Sequence, residues 1–200
     1  MIRSFLAIVA MSATLMLPET AGTTETYRCK GPNDETGIDF SVCANWPQDK
    51  GGVEIAFSPS GGATALVVHT IESAKTTVRV AAYSFTSKPI AQALLDAQRR
   101  GVDVRVVVDK SNATARYTAS SFLANQGVPV RVDYRYAIMH DKFVVVDGET
   151  VETGSFNFTA AAESHNAENV IVLHAVAVAQ RYGQEWERLW AESEEMKPRY

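Results

Sequence analysis

Residues 77–110 read TVRVAAYSFTSKPIAQALLDAQRRGVDVRVVVDK. Thr77 to Ser84 is a β-branched and apolar run, which reads as a buried strand. Lys88 to Arg100 has helical spacing, opens near Pro89 and stops at Gly101, the usual signals at the two ends of a helix. Val102 to Val108 is a second apolar strand. Strand, helix and strand in immediate succession imply a parallel or mixed sheet with helices on its faces.

The same rhythm extends outward. Upstream, Val53 to Phe57 reads as a short strand. A turn at Pro59, Ser60, Gly61 and Gly62 follows, and Ala63 to Ala74 has Leu66, Val67 and Ile71 on one helical side. Downstream, Ala113 to Gln126 is predicted as one helix stopped by Gly127, with Val128 to Val132 a strand behind it. Asp147-Gly148-Glu149 then separates Lys142 to Val146 from Thr150 to Thr153, a hairpin signal. Asn169 to His174 gives another strand. Val176 to Glu195 is a closing helix whose Tyr182, Trp186, Leu189 and Trp190 read as core, with a partner interface as the alternative. The expected fold is one α/β domain over residues 53–196, its central sheet mixed and mostly parallel, flanked by helices.

The 200 residues carry a formal net charge of -4, which on its face argues against a nucleic-acid partner. The charge is unevenly distributed. Residues 75–142 hold eleven Lys or Arg against five Asp or Glu, and residues 147–200 hold four against ten. A basic surface follows if the first group shares a face. Residues 1–22 have the form of a secretory signal: Arg3, an apolar run from Phe5 to Leu17, then Pro18 and small residues near Ala21. The alternative is an uncleaved anchor. The two cysteines, Cys29 and Cys43, lie in a segment spanning 23–52. In an exported chain they read as one disulfide, contributing about 3 kcal/mol in the chain-entropy account. The expected location is therefore periplasmic or secreted, with no stable membrane association of the mature chain.

The chemistry concentrates between Met139 and Val170. His140 and Lys142 are two apart at the start of a strand and so share a face. Ser155 and Asn157 repeat that spacing at the end of the next strand, and the hairpin brings the pairs together. Lys142 offers positive charge to non-bridging phosphate oxygens, and Asn157 and Ser155 offer neutral donors. Gly154 permits close backbone approach. Neutral imidazole at His140 is a nucleophile near pH 7. Glu168 is expected to orient His140, and Asp147, at the turn, to support the backbone. No metal-ligand spacing is present, so neither metal nor cofactor is expected.

His140-x-Lys142-x4-Asp147-x6-Gly154-Ser155-x-Asn157 resembles the HKD signature of the phospholipase D superfamily at every defining position. Ala82-Tyr83-Ser84-Phe85-Thr86, Arg100-Gly101-Val102-Asp103-Val104, Val151 to Thr159 and Glu168-Asn169 are similar to its short bacterial nuclease branch. The resemblance implies metal-independent phosphodiester cleavage through a phosphohistidine. It also implies a site built from two motifs. This chain has one, since His69-Thr70-Ile71 fails the pattern, so a homodimer presenting His140 twice is expected. Nucleic acid is the expected substrate. A phospholipase, or a nucleic-acid-binding module without turnover, is the alternative.

Overall fold

The structure is a computed structural model and describes residues 52–115 and 118–197. The expected signal at 1–22 and the Cys29–Cys43 disulfide lie outside the described residues, as does Arg116, one of the basic residues counted above.

The chain forms β1 (Val53–Ser58), α1 (Ala63–Glu72), β2 (Thr77–Ala82), α2 (Lys88–Arg99) and β3 (Asp103–Asp109). It continues through α3 (Ser111–Thr114), α4 (Ala119–Asn125), β4 (Val130–Asp133), β5 (Lys142–Val146) and β6 (Thr150–Gly154). It ends with α5 (Ala160–Ser164), β7 (Glu168–Leu173), α6 (Val176–Glu192) and β8 (Glu194–Glu195). The strands make one sheet in the order β1-β7-β6-β5-β2-β3-β4-β8. Helices α1, α2 and α4 cover one face over a large apolar cluster that includes Leu66, Ile71, Leu94 and Val106. Helix α6 covers the other face at β2 to β6, burying Trp186 and Leu189 as their helical spacing predicts. The Trp186 indole donates to the Val80 carbonyl at 2.9 Å, which fixes α6 against the middle of the sheet.

The mixed sheet flanked by helices is as expected, but its balance differs. Among the described residues only β2–β3 and β3–β4 pair in parallel, and the other five ladders are antiparallel. The reason is the return of the chain after β4. The tight turn at Asp147 and Gly148 makes β5 and β6 antiparallel neighbours, and the chain then returns through α5 so that β7 runs antiparallel to both β6 and β1. The single helix expected over Ala113 to Gln126 is two short ones. Ala115 is extended, and Thr118 restarts the helix by accepting the Ser121 N–H at 3.1 Å. Side-chain capping of this kind outweighs an apolar pattern that runs through the break.

The hairpin turn shows why Asp147 stands there. Asp147 and Gly148 both have positive φ, 54° and 69°, as a type I′ turn requires. The Asp147 carboxylate accepts the N–H groups of Thr76 and Thr77 at 2.8 Å and of Lys75 at 2.9 Å, and the Thr76 hydroxyl at 2.8 Å. It thus ties the turn to the start of β2. Lys142 stands at the opposite end of β5, about 16 Å away at ~3.3 Å per residue, so Asp147 is a structural residue. Burial alone would raise its pKa; the hydrogen bonds from Thr77, Lys75 and Thr76 prevail and hold it below the usual 3.8.

Glu152 is the opposite case. It is 1% exposed, lies beside Val144 and Val172, and neither carboxylate oxygen has a hydrogen-bond partner among the described residues. Burial pushes its pKa well above the usual 4.5, so the side chain is a neutral acid at mildly acidic pH.

The two acids predict opposite pH signatures in thermal unfolding. Asp147→Asn should cost about 1–3 kcal/mol at neutral pH. That difference should vanish as the pH falls through the depressed folded pKa, because the stabilisation is complete above the unfolded value and is lost as folded Asp147 takes up its proton. Glu152→Leu should raise the unfolding temperature at alkaline pH. Its gain should shrink as the pH falls from the raised folded pKa and be lost below the unfolded value of 4.5, where wild-type Glu152 is protonated in both states. A gain that instead grows with acid would contradict the buried neutral carboxyl.

Candidate active site

The site forms where the antiparallel ladder between β2 and β5 ends. Ala82 pairs with Lys142, so the residues just after β2 face those just before β5. The Tyr83 N–H donates to the Asp141 carbonyl at 3.0 Å, extending the ladder by one rung. His140 therefore lies in the loop above the sheet rather than on the strand itself.

Two carboxylates at strand ends hold that loop. Asp109, at the end of β3, accepts the Met139 N–H at 2.9 Å. Asp133, at the end of β4, accepts those of Arg135 and Tyr136 at 2.8 and 3.2 Å. Lys110 donates to the Tyr136 carbonyl at 2.9 Å, so it braces the loop. Met139 is buried, and this anchors the backbone next to an exposed His140.

The other half comes from the end of β6. Gly154 cannot be replaced there without movement, because a Cβ would lie 2.1 Å from the Asn169 carbonyl oxygen of β7. In the extended stretch that follows, Phe156 and Phe158 are buried at 1% and 0%. Alternation turns Ser155 and Asn157 away from them. The Phe158 carbonyl accepts the N–H groups of Thr86 and Ser87, both at 2.9 Å, which stitches this segment to the one after β2.

His140, Asp141, Lys142, Gly154, Ser155, Asn157 and Glu168 line one open cleft of about 450 Å³ together with Phe143 and Thr153. Lys142 is buried to 7% exposure, and its Nζ lies 2.9 Å from Nδ1 and 3.0 Å from Nε2 of His140, donating as well to the His140 carbonyl at 2.7 Å. Burial lowers the Lys142 pKa, against the opposing pull of the Asp141 and Glu168 carboxylates. Asp141 is raised, first by burial and then by repulsion from Glu185. The Asn157 carboxamide oxygen is buried without a partner among the described residues.

Glu168 is in the cleft but engaged differently from the sequence expectation. Ser155 Oγ donates to it at 2.5 Å and Asn166 Nδ2 at 3.0 Å, and no hydrogen bond joins it to His140 among the described residues. It orders the Ser155 hydroxyl, which also accepts the Asn169 N–H at 3.2 Å. His174 lies elsewhere, at the far end of β7 against Glu54, 2.7 Å between Nε2 and Oε1. Sequence reasoning missed Tyr83, whose ring centroid is 4.6 Å from that of His140, and the loop-holding Asp109 and Asp133. Carboxylates closing two successive strands were the available signal for the last two.

Chemically, the cleft offers a nucleophilic nitrogen, one ammonium and neutral donors around a volume suited to a tetrahedral anion. Inorganic phosphate should bind there and shift the His140 ring resonances. Binding should weaken as the pH rises through the depressed Lys142 pKa, below the usual 10.5. Lys142→Met should weaken it about 10-fold or more; unchanged phosphate affinity in that variant would remove Lys142 from the anion site.

Residues 67–190 match the protein family described as cardiolipin synthase, PLD-like domain. The chain is 38% identical over 134 residues to a phospholipase D of Rickettsia bellii (strain RML369-C), covering 67% of each. It is 39% identical over 119 residues to a mitochondrial cardiolipin hydrolase of Xenopus laevis, covering 60% of this chain and 57% of that one. The crystal structure of a phospholipase D family member, Nuc from Salmonella typhimurium, superposes with a TM-score of 0.70 at 44% identity. That match covers 72% of this chain and 97% of Nuc.

Proposed function

Since the chain belongs to the phospholipase D superfamily and is a phosphodiesterase of that kind, we propose that it is a metal-independent endonuclease working through a covalent phosphohistidine. The observation that carries this reading is the convergence of His140, Lys142, Ser155, Asn157 and Glu168 on one cleft.

His140 attacks phosphorus in line with the leaving oxygen. A P–N bond forms as the P–O bond breaks, and Lys142 with the Asn157 carboxamide holds the non-bridging oxygens. The leaving oxygen needs a proton, and the same residue of a second copy, its His140, supplies it. That imidazole then takes a proton from water, whose oxygen attacks phosphorus and releases His140. The products are an alcohol and a phosphomonoester. The positive charge that a metal would otherwise bring is supplied here by Lys142.

Surface features support pairing of two copies. Val53, Ile55 and Phe57 on β1 are 47%, 50% and 60% exposed, and Ile171 and Leu173 of β7 lie opposite Ile55 and Val53. This apolar strip adjoins the cleft, since Phe57 pairs with Asn169, which bonds to Ser155. Burying it in a two-fold contact follows from ordinary hydrophobic economy. Export guided by residues 1–22, with Cys29 bonded to Cys43, belongs to the same proposal.

Nucleic acid is favoured by the resemblance to the bacterial nuclease branch. The uneven charge gives less support than expected. Arg79 lies over Trp186, and Arg105 and Arg131 lie over Trp190, so these three serve the α6 packing. Arg99 pairs with Asp96, and Arg100, the C-cap of α2, donates to the Glu72 carbonyl at 3.2 Å. A lipid diester is the second reading, favoured by relatives named phospholipase D and mitochondrial cardiolipin hydrolase. Among the described residues no helix is long and apolar enough to cross a membrane.

Plasmid DNA, phosphatidylcholine and cardiolipin should be offered side by side in EDTA. The expected outcome is DNA cleavage without a divalent ion, lost in His140→Ala by at least about 1,000-fold. Cleavage of lipid alone would transfer the reading to the phospholipase. DNA cleavage abolished by EDTA and restored by magnesium would refute the metal-free mechanism.

A further inference from the structure

We propose that Tyr83 is a positioning residue: its ring is the wall that fixes the His140 imidazole and the platform that carries the Lys142 ammonium. The proposal rests on the reading of His140 as nucleophile, and it assigns the placement of both reacting groups to a residue outside the HKD signature.

Placement is a real problem in this site. His140 is exposed and lies in a loop, so strand geometry does not restrain its ring. Among the described residues the hydrogen-bonding neighbour of its two ring nitrogens is Lys142, itself a long side chain with several rotatable bonds. Glu168, the acid expected to orient it, is committed to Ser155 and Asn166. The charged groups around the imidazole are Lys142, Asp141 and Glu168, and none of them presents a flat surface against it.

Tyr83 does. Its ring lies 4.6 Å from the imidazole, centroid to centroid, tilted by 51°. Lys142 Nζ sits 5.2 Å from the same ring centroid, within cation–π range. The Tyr83 backbone is held on both sides. Its N–H donates to Asp141, and its carbonyl accepts from Asn112 Nδ2 at 2.6 Å. Asn112 is 3% exposed, and its own Oδ1 accepts the Phe85 N–H. The phenol hydroxyl makes no hydrogen bond among the described residues, so the ring and not the oxygen carries the role. A rigid β2 terminus thus sets two side chains of the β5 side through one aromatic face. A displacement of a reacting atom by about 1 Å is enough to cost 100-fold in rate.

The test uses full-length protein, bis(p-nitrophenyl) phosphate as the diester, and Tyr83→Phe, Tyr83→Leu and Tyr83→Met. Tyr83→Phe should keep wild-type kcat. Tyr83→Leu should lose about 10- to 100-fold in kcat with a smaller rise in KM, because attack geometry is damaged more than the hold of Lys142 on the phosphate. The His140 ring resonances should match wild type in Tyr83→Phe and move and broaden in Tyr83→Leu. Wild-type kcat in Tyr83→Leu, or an equal loss in Tyr83→Phe, overturns the proposal. Should Tyr83→Leu fail to fold, Tyr83→Met carries the same comparison. If the wild type does not hydrolyse the diester, the functional reading fails by itself. The resonances then decide alone: an unmoved His140 ring in the leucine or methionine variant sinks the role of Tyr83.

Discussion

The antiparallel rung that sets Lys142 opposite Ala82 governs the rest of the site. It fixes where β5 begins relative to where β2 ends, and so brings Tyr83, Asp141 and His140 to one edge of the sheet. A slip of one residue would turn Lys142 to the other face and dismantle the cleft. The register is secured at the opposite end of the same strand pair. There the Asp147 carboxylate takes N–H groups from Lys75, Thr76 and Thr77. The aspartate of the signature is therefore the distant clamp on the ladder whose near end carries the histidine and lysine.

Electrostatic resources are divided along the molecule. Arginines of the middle strands are spent on the indoles of α6, where burying their stems and stacking their guanidinium groups joins helix to sheet. The cleft keeps one well-buried ammonium, Lys142, and surrounds it with Asp141 and Glu168. Such a site addresses the one phosphate group at the cleft. This fits cleavage with little readout of what flanks the diester.

The chemistry of the site was legible because it is carried by spacing. His140, Lys142, Ser155 and Asn157 fall on period-two positions flanking a turn that announces itself as Asp-Gly. The helices α1, α2 and α6 and the burial of Trp186 were legible for the same local reason. What escaped was nonlocal or governed by single caps. The antiparallel majority of the sheet depends on which strands become neighbours, and no window of sequence contains that. The split between α3 and α4 turns on one Thr118 hydroxyl. Glu168 bonds to Ser155 rather than to His140 because both flank the tight β6–β7 approach at Gly154. Tyr83 looked like the tail of a buried strand, and its importance comes from a contact across 57 residues of chain.

The central claim is a bond between phosphorus and a nitrogen of residue 140. Rapid acid-free quenching of the protein during turnover, followed by peptide mass spectrometry, tests it most directly. A phosphoryl or phosphodiester adduct confined to the His140 peptide, stable in alkali and lost in mild acid, is the predicted result. Vigorous hydrolysis with no adduct at that histidine under any quench, or an adduct on another side chain, would contradict it.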